Sequence, residues 1–300
     1  MTTRTSDLLL TAIAPAIWGS TYIVTTEFLP EYSPMTVAML RALPAGLLLL
    51  MVVRQLPTGH WWVRAFALGA LNIAIFLSLL FVAAYRLPGG VAATVLSVQP
   101  LMVVFLASVL LASPLRRLSI LAALAGVGGV ALMVLTPNAA LDVLGVAAGL
   151  AGAASMALGT VLTRKWQPPV SPLTLTGWQL TTGGVLLVPV VLLFEPPVPV
   201  PSAGNLLGLA WLGLIGAALT YVLWFRGVAR LRSATVSLLL FLSPLTAVLL
   251  GWVFLDQRLT VFQLIGCGLV LGSIWLGQRT DRESTRPSSK GESGFAGSSS

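Results

Sequence analysis

The chain is 300 residues long, 57% hydrophobic and only 9% charged, with a mean hydropathy of +0.95. A water-soluble domain carries about a quarter of its residues as charges, so this composition excludes one and implies a polytopic membrane protein. A formal charge of +8 could suit nucleic acid, but the cations are scattered through short loops, which excludes that partner.

Crossing about 30 Å of hydrocarbon as a helix takes roughly 20 apolar residues, because lipid gives the backbone no hydrogen-bond partners. Ten such runs follow one another, at 8–28, 33–53, 63–84, 89–111, 118–136, 143–163, 173–194, 205–225, 232–254 and 261–278. The first is too long for a signal peptide and shows no small-residue cleavage pattern after it, so it reads as a helix. It carries Trp18, Ser20 and Tyr22.

The second run opens on Ser33 and Pro34 and holds Arg41 about seven residues in, roughly 10 Å deep at 1.5 Å per residue. A charge at that depth serves a substrate carboxylate or has a structural role. The structural role, snorkelling to the outer headgroups or capping a helix end, with Glu27 or Glu31 as a candidate pair, is the favoured reading. His60 falls in the turn that follows, beside Trp61. The third run holds Asn72 and Ser78, and the fourth holds Ser97, Gln99 and Pro100.

Small residues recur at helical spacing in the fifth run (Ala122, Gly126, Gly129) and the sixth (Gly145, Gly149, Gly152), where they let helices approach closely. The seventh run carries Trp178 and Gln179 and is ended by the proline-rich segment 195–202. The eighth holds Thr220, Tyr221 and Trp224, the ninth Ser237, Ser243 and Pro244, and the tenth Cys267, Gly268 and Gly272. The lone cysteine reads as a small packing residue. From Thr280 onward the Ser, Gly and charge content reads as a disordered cytoplasmic tail.

Pro100 and Pro244 lie 144 residues apart, and laying one on the other also matches Leu96 to Leu240 and Gly128 to Gly272. Earlier, Ser33 and Pro34 match Ser171 and Pro172, and Gly46 matches Gly184. The chain is therefore two related halves, 1–139 and 140–279, followed by the tail at 280–300. Cations such as Arg54, Arg64, Arg116, Arg164, Arg226, Arg230 and Arg279 fall on one side of the membrane. Glu27, Glu31, Asp142, Glu195 and Asp256 fall on the other. The positive side is cytoplasmic, which puts both termini there. Five helices per half make the second half inverted, a common plan for transporters with a midplane site and alternating access.

Each proline removes a helix hydrogen bond and should bend its helix, making Pro100 and Pro244 candidate hinges beside Gln99 and Ser243; static bends are the plainer reading. Polar and aromatic residues inside spans are the candidate cavity lining. The substrate-binding set is Trp18, Tyr22, Asn72, Ser97, Gln99, Gln179, Tyr221, Trp224 and Ser243. For Asn72, Gln99 and Gln179 an interhelical hydrogen bond is the alternative. Trp18, Trp178 and Trp224 could sandwich a ligand, whereas Trp61, Trp62, Trp166, Trp252 and Trp275 suit the membrane interface. No span carries a central Asp, Glu or His, which favours uniport or exchange over proton coupling. No nucleotide-binding loop, metal-ligand cluster or nucleophile with a base is legible, so neither catalysis nor a cofactor is expected.

The stretch Pro15 to Tyr22 (PAIWGSTY), Ser33 and Pro34 followed by Arg41, Ser243 to Asp256 (SPLTAVLLGWVFLD) and Gln263 to Gly266 (QLIG) together resemble EamA-type members of the drug/metabolite transporter superfamily. The resemblance runs from about residue 8 to 278 and is closest to the bacterial aromatic amino acid exporter branch, the YddG type. It implies an all-α fold of ten transmembrane helices in two inverted five-helix repeats around a central cavity. It also implies export of amino acids or related metabolites across the bacterial inner membrane. Family repeats often carry a Glu where this chain has Ala112 in the first half and Asp256 in the second. The expectation is a monomeric exporter of neutral, including aromatic, amino acids; the rival is an exporter of another small metabolite or a drug, with or without proton coupling.

Overall fold

The computed structural model describes residues 3–87, 92, 95–134, 142–254 and 260–283. The side chains of residues 3, 4, 22, 26, 133, 134, 251 and 277–283 lie outside that description. Every element among these residues is helical. The first pass is α1 (Thr3–Trp18) and α2 (Thr21–Phe28), parted at Gly19 and Ser20. Next come α3 (Pro34–Val53) and a third pass of α4 (Trp61–Gly69), a π-helical segment (Ala70–Ile75) and α5 (Phe76–Arg86). Then follow α6 (Gln99–Leu111), α7 (Arg117–Val134), α8 (Val143–Trp166) and α9 (Pro172–Phe194). The next apolar stretch joins α10 (Ala203–Ala210), a second π-helical segment (Trp211–Leu219) and α11 (Thr220–Arg230). Last are α12 (Ser233–Leu239), α13 (Leu242–Phe254) and α14 (Val261–Glu283).

Seven helical stretches among the described residues are long and apolar enough to cross a membrane, and three shorter apolar helices accompany them. Large apolar side chains point outward as well as inward: Phe105, Leu192, Phe254 and Phe262 are exposed while Phe81, Tyr221, Trp224 and Phe241 are buried. A helix apolar all round suits lipid on one side and protein on the other.

The packing pairs helices across the halves. α3 lies along α9 and α7 along α14, while α5 packs on α8 as α1 packs on α11. The glycines that matched in sequence make the first of these contacts. A Cβ on Gly46 would lie 2.7 Å from the Leu180 carbonyl carbon, and one on Gly184 would lie 2.7 Å from the Leu43 Cα. Only a residue without a side chain allows the two backbones so close. By contrast, nothing lies within 4 Å of a Cβ on Gly268 or Gly272, so those two are not packing contacts.

Polar contacts gather at two ends. At one, Asn205 Nδ2 donates to the Phe28 carbonyl (2.6 Å), Tyr85 Oη to that of Tyr32 (2.9 Å), and Arg86 faces Asp142 (3.5 Å). There Glu195 also clamps the start of α3, accepting from the amides of Met35 (2.7 Å) and Thr36 (2.6 Å) and from Thr36 Oγ1 (2.6 Å). At the other end, Asp7 pairs with Arg226 (2.6 Å) and Arg230 (3.5 Å), and Arg164 donates to the carbonyls of Val228 and Leu231.

Three expectations change. The prolines do not bend continuous helices: each helix is interrupted just before its proline, at Ser97 and Val98 and at Leu240 and Phe241. Pro100 and Pro244 then sit in the first turn of the next helix, where a missing N–H matters least. The tail is helical from Thr280 to Glu283, and 284–300 lie outside the described residues. Trp61 is buried rather than interfacial, with Trp178 at 6.4 Å and the Arg64 guanidinium over its ring at 5.1 Å.

Candidate functional site

The two interruptions face one cavity of about 100 Å³. From the first half come Trp18, Thr21, Arg41, Phe76, Leu77, Leu80, Leu96, Ser97 and Gln99, and from the second Met156, Tyr221, Leu240, Phe241, Ser243 and Pro244. Both breaks are closed by three-residue turns. Leu101 N bonds to the Val98 carbonyl (3.0 Å), and Ser243 N to that of Leu240 (3.0 Å). Such tight turns narrow the backbone and bring main chain to a site. Close approach is enforced from α1 as well, since a Cβ on Gly19 would lie 2.5 Å from the Ser243 carbonyl oxygen.

Trp18 and Tyr221 form an aromatic wall, with ring centroids 5.2 Å apart. Trp224 stands behind Trp18 at 5.4 Å, fully buried and outside the lining. The Trp18 indole Nε1 donates to Thr220 Oγ1 (2.8 Å) and to the Gly216 carbonyl (3.1 Å), which locks its ring. Arg41 donates to that same carbonyl through Nη2 at 2.7 Å and to Thr21 Oγ1 through Nη1 at 3.5 Å. Gly216 belongs to the second π-helical segment, whose wider register leaves carbonyls open to side-chain donors.

Sequence reasoning placed nine substrate-binding residues, and the fold brings five of them, Trp18, Ser97, Gln99, Tyr221 and Ser243, to this cavity. Asn72 and Gln179 are elsewhere: Asn72 Nδ2 donates to Gln179 Oε1 at 2.6 Å, and both side chains are fully buried. They follow the interhelical alternative, joining the first π-helical segment to α9. The Tyr22 side chain lies outside the described residues. Pro244 lines the cavity; Pro100 is buried behind Gln99. Trp178 donates to the Gln55 carbonyl (2.7 Å) away from the cavity. Arg41 is only 4% exposed and its guanidinium bonds inward to the Gly216 carbonyl, a structural contact, though not a snorkelling one. The apolar wall of Phe76, Leu77, Leu80 and Met156 escaped the sequence reading, because a leucine facing a cavity has the same pattern as one facing lipid.

Such a lining binds and orients. It offers ring faces, hydroxyls, an amide and one guanidinium. Among the described residues no three His, Cys, Asp or Glu gather to hold a metal.

The pattern of the EamA-like transporter family matches the chain twice, over residues 5–135 and 143–277. The chain belongs to the EamA-like transporter family. This EamA chain is 44% identical over 263 residues to "Protein PecM" of Dickeya dadantii, covering 87% of the chain and 88% of that protein. It is 26% identical over 265 residues to the "Uncharacterized inner membrane transporter YedA" of Escherichia coli K12, covering 87% and 86%. A crystal structure aligns with a TM-score of 0.79 at 21% identity, over 91% of this chain and 98% of that one, which supports the fold alone. The EamA chain is thus a multi-pass membrane transporter of the drug/metabolite transporter superfamily. The finer placement with aromatic amino acid exporters is not what these relatives' names print; membership stands at the level of the family.

Proposed function

We propose that this transporter exports amino acids, aromatic and other neutral ones, from the bacterial cytoplasm by alternating access, as a uniporter or exchanger. The carrying observation is the shared cavity, where broken passes from both halves meet between aromatic walls and scattered hydroxyls. Ten apolar helical passes would be ten spans in two inverted repeats, 1–139 and 140–279, and the double family match supports that division. The polar ends fit the same plan. The Arg-rich end with Asp7 and Arg226 would be cytoplasmic, and the end with Asp142 and Glu195 would face outward.

Alternating access needs a wall that moves, and the interruptions ahead of Pro100 and Pro244 are the places built to yield. The transporting unit is a monomer, since the described lining draws on both halves of a single chain. Among the described residues no carboxylate or histidine lines the cavity, which favours transport without proton coupling.

The test is counterflow in proteoliposomes against a panel of amino acids, with and without a pH gradient. Accumulation of labelled neutral amino acids that ignores the gradient is expected. Flux of none of them would overturn amino acid export, and strict dependence on the gradient would overturn the uncoupled mechanism.

A further inference from the structure

Resting on the transport reading above and naming the solute group that its cavity selects, we propose that Arg41 anchors a carboxylate of the transported solute. Taking that carboxylate releases the guanidinium from Gly216. Arg41 is buried in the second apolar pass, where an ionised side chain is expensive and marks a pairing or a solute path. Among the described residues that line the cavity it is the one with a formal charge. Inside a low-dielectric space that charge sets the sign of the field, attracting an anionic group and opposing a cationic one.

The geometry around it suits exchange of partners. Nη2 reaches the Gly216 carbonyl at 2.7 Å, but the Nη1 contact to Thr21 Oγ1 is long at 3.5 Å. A carboxylate takes a guanidinium through two parallel charge-assisted bonds, each stronger than one to a neutral carbonyl. A second donor waits in the same lining: Gln99 is 5% exposed, and its Nε2 has no hydrogen-bond partner among the described residues. A buried donor of this kind is worth satisfying, and a solute oxygen does so. The rings of Trp18, Tyr221 and Phe76 then receive the apolar part of the solute, and ring faces and hydroxyls can receive an ammonium.

The bond to Gly216 gives the anchor a mechanical consequence. Arg41 belongs to α3 in the first half, and Gly216 to the π-helical segment of the second. A carboxylate that draws the guanidinium away loosens a tie between the halves, so solute and conformation become linked through differential affinity.

The experiment is counterflow of labelled phenylalanine and leucine, challenged with excess carboxamide (phenylalaninamide, leucinamide) or deaminated acid (3-phenylpropionate, 4-methylpentanoate). Wild type should be inhibited by the acids about tenfold more effectively than by the carboxamides. Arg41→Gln should erase that preference, and Arg41→Lys, which keeps the charge but loses the fork, should fall between. Equal inhibition by acids and carboxamides in wild type needs no variant to fold and overturns this inference alone. So does an acid preference that survives Arg41→Gln in monodisperse protein. Flux of neither amino acid would overturn the transport reading and the anchor with it.

Discussion

Arg41 and Gln179 stand 138 residues apart, the same offset that relates Ser33 to Ser171, yet they have diverged in chemistry and role. Each meets the π-helical segment of the other half, Arg41 through the Gly216 carbonyl and Gln179 through Asn72. Only Arg41 reaches the cavity. Asn72→Ala should lower stability by about 1 kcal/mol, since it removes one interhelical amide bond and leaves Gln179 buried. A fall in the melting temperature of detergent-solubilised protein checks this, and replacing both residues with Ala should cost less than the two single changes added. A Cβ on Gly159 would run into Asn72 Oδ1, so Gly159→Ala should destabilise as well. The depth of Arg41 was legible in the sequence, but its direction was not, because snorkelling and cavity lining differ only in the rotamer. A buried amide likewise has one sequence signature whether it meets a solute or another amide, as Asn72 and Gln179 show.

At the scale of elements, the paired prolines were legible and their effect was not. A proline inside an apolar run signals a bend, yet here each helix stops and restarts, with the ring placed harmlessly in the new first turn. Pro100→Ala and Pro244→Ala supply the missing N–H and favour a continuous helix. Each should slow transport severalfold more than it weakens solute binding, measured as counterflow rate against equilibrium binding. The two π-helical segments were invisible, since a shift to i→i+5 bonding leaves no mark on hydrophobic periodicity. Their starts, Ala70 and Trp211, nevertheless lie 141 residues apart, within the offsets that relate the halves. The Glu195 clamp escaped notice too, because it joins the end of α9 to the start of α3 across 159 and 160 residues. Glu195→Ala strips an anion from a helix N-terminus and should lower stability by about 1–3 kcal/mol, read as a loss in melting temperature.

For the whole molecule, the seven described stretches long and apolar enough to cross a membrane were legible in the sequence, because hydrocarbon thickness fixes their length. The packing of α3 on α9 was foreshadowed only by the matched glycines Gly46 and Gly184. Where the cavity lies was not legible, since it depends on which of many similar faces turn inward. Alternating access requires this cavity to open to each side of the membrane in turn. The chain offers a direct test, because Cys267 is its single cysteine. Ser97→Cys can therefore be placed in a Cys267→Ser background and challenged with a membrane-impermeant thiol reagent from either face of sealed vesicles. Labelling from both faces is expected, slowed by a transported amino acid. Labelling from one face only, with no protection by solute, would overturn alternating access through this cavity.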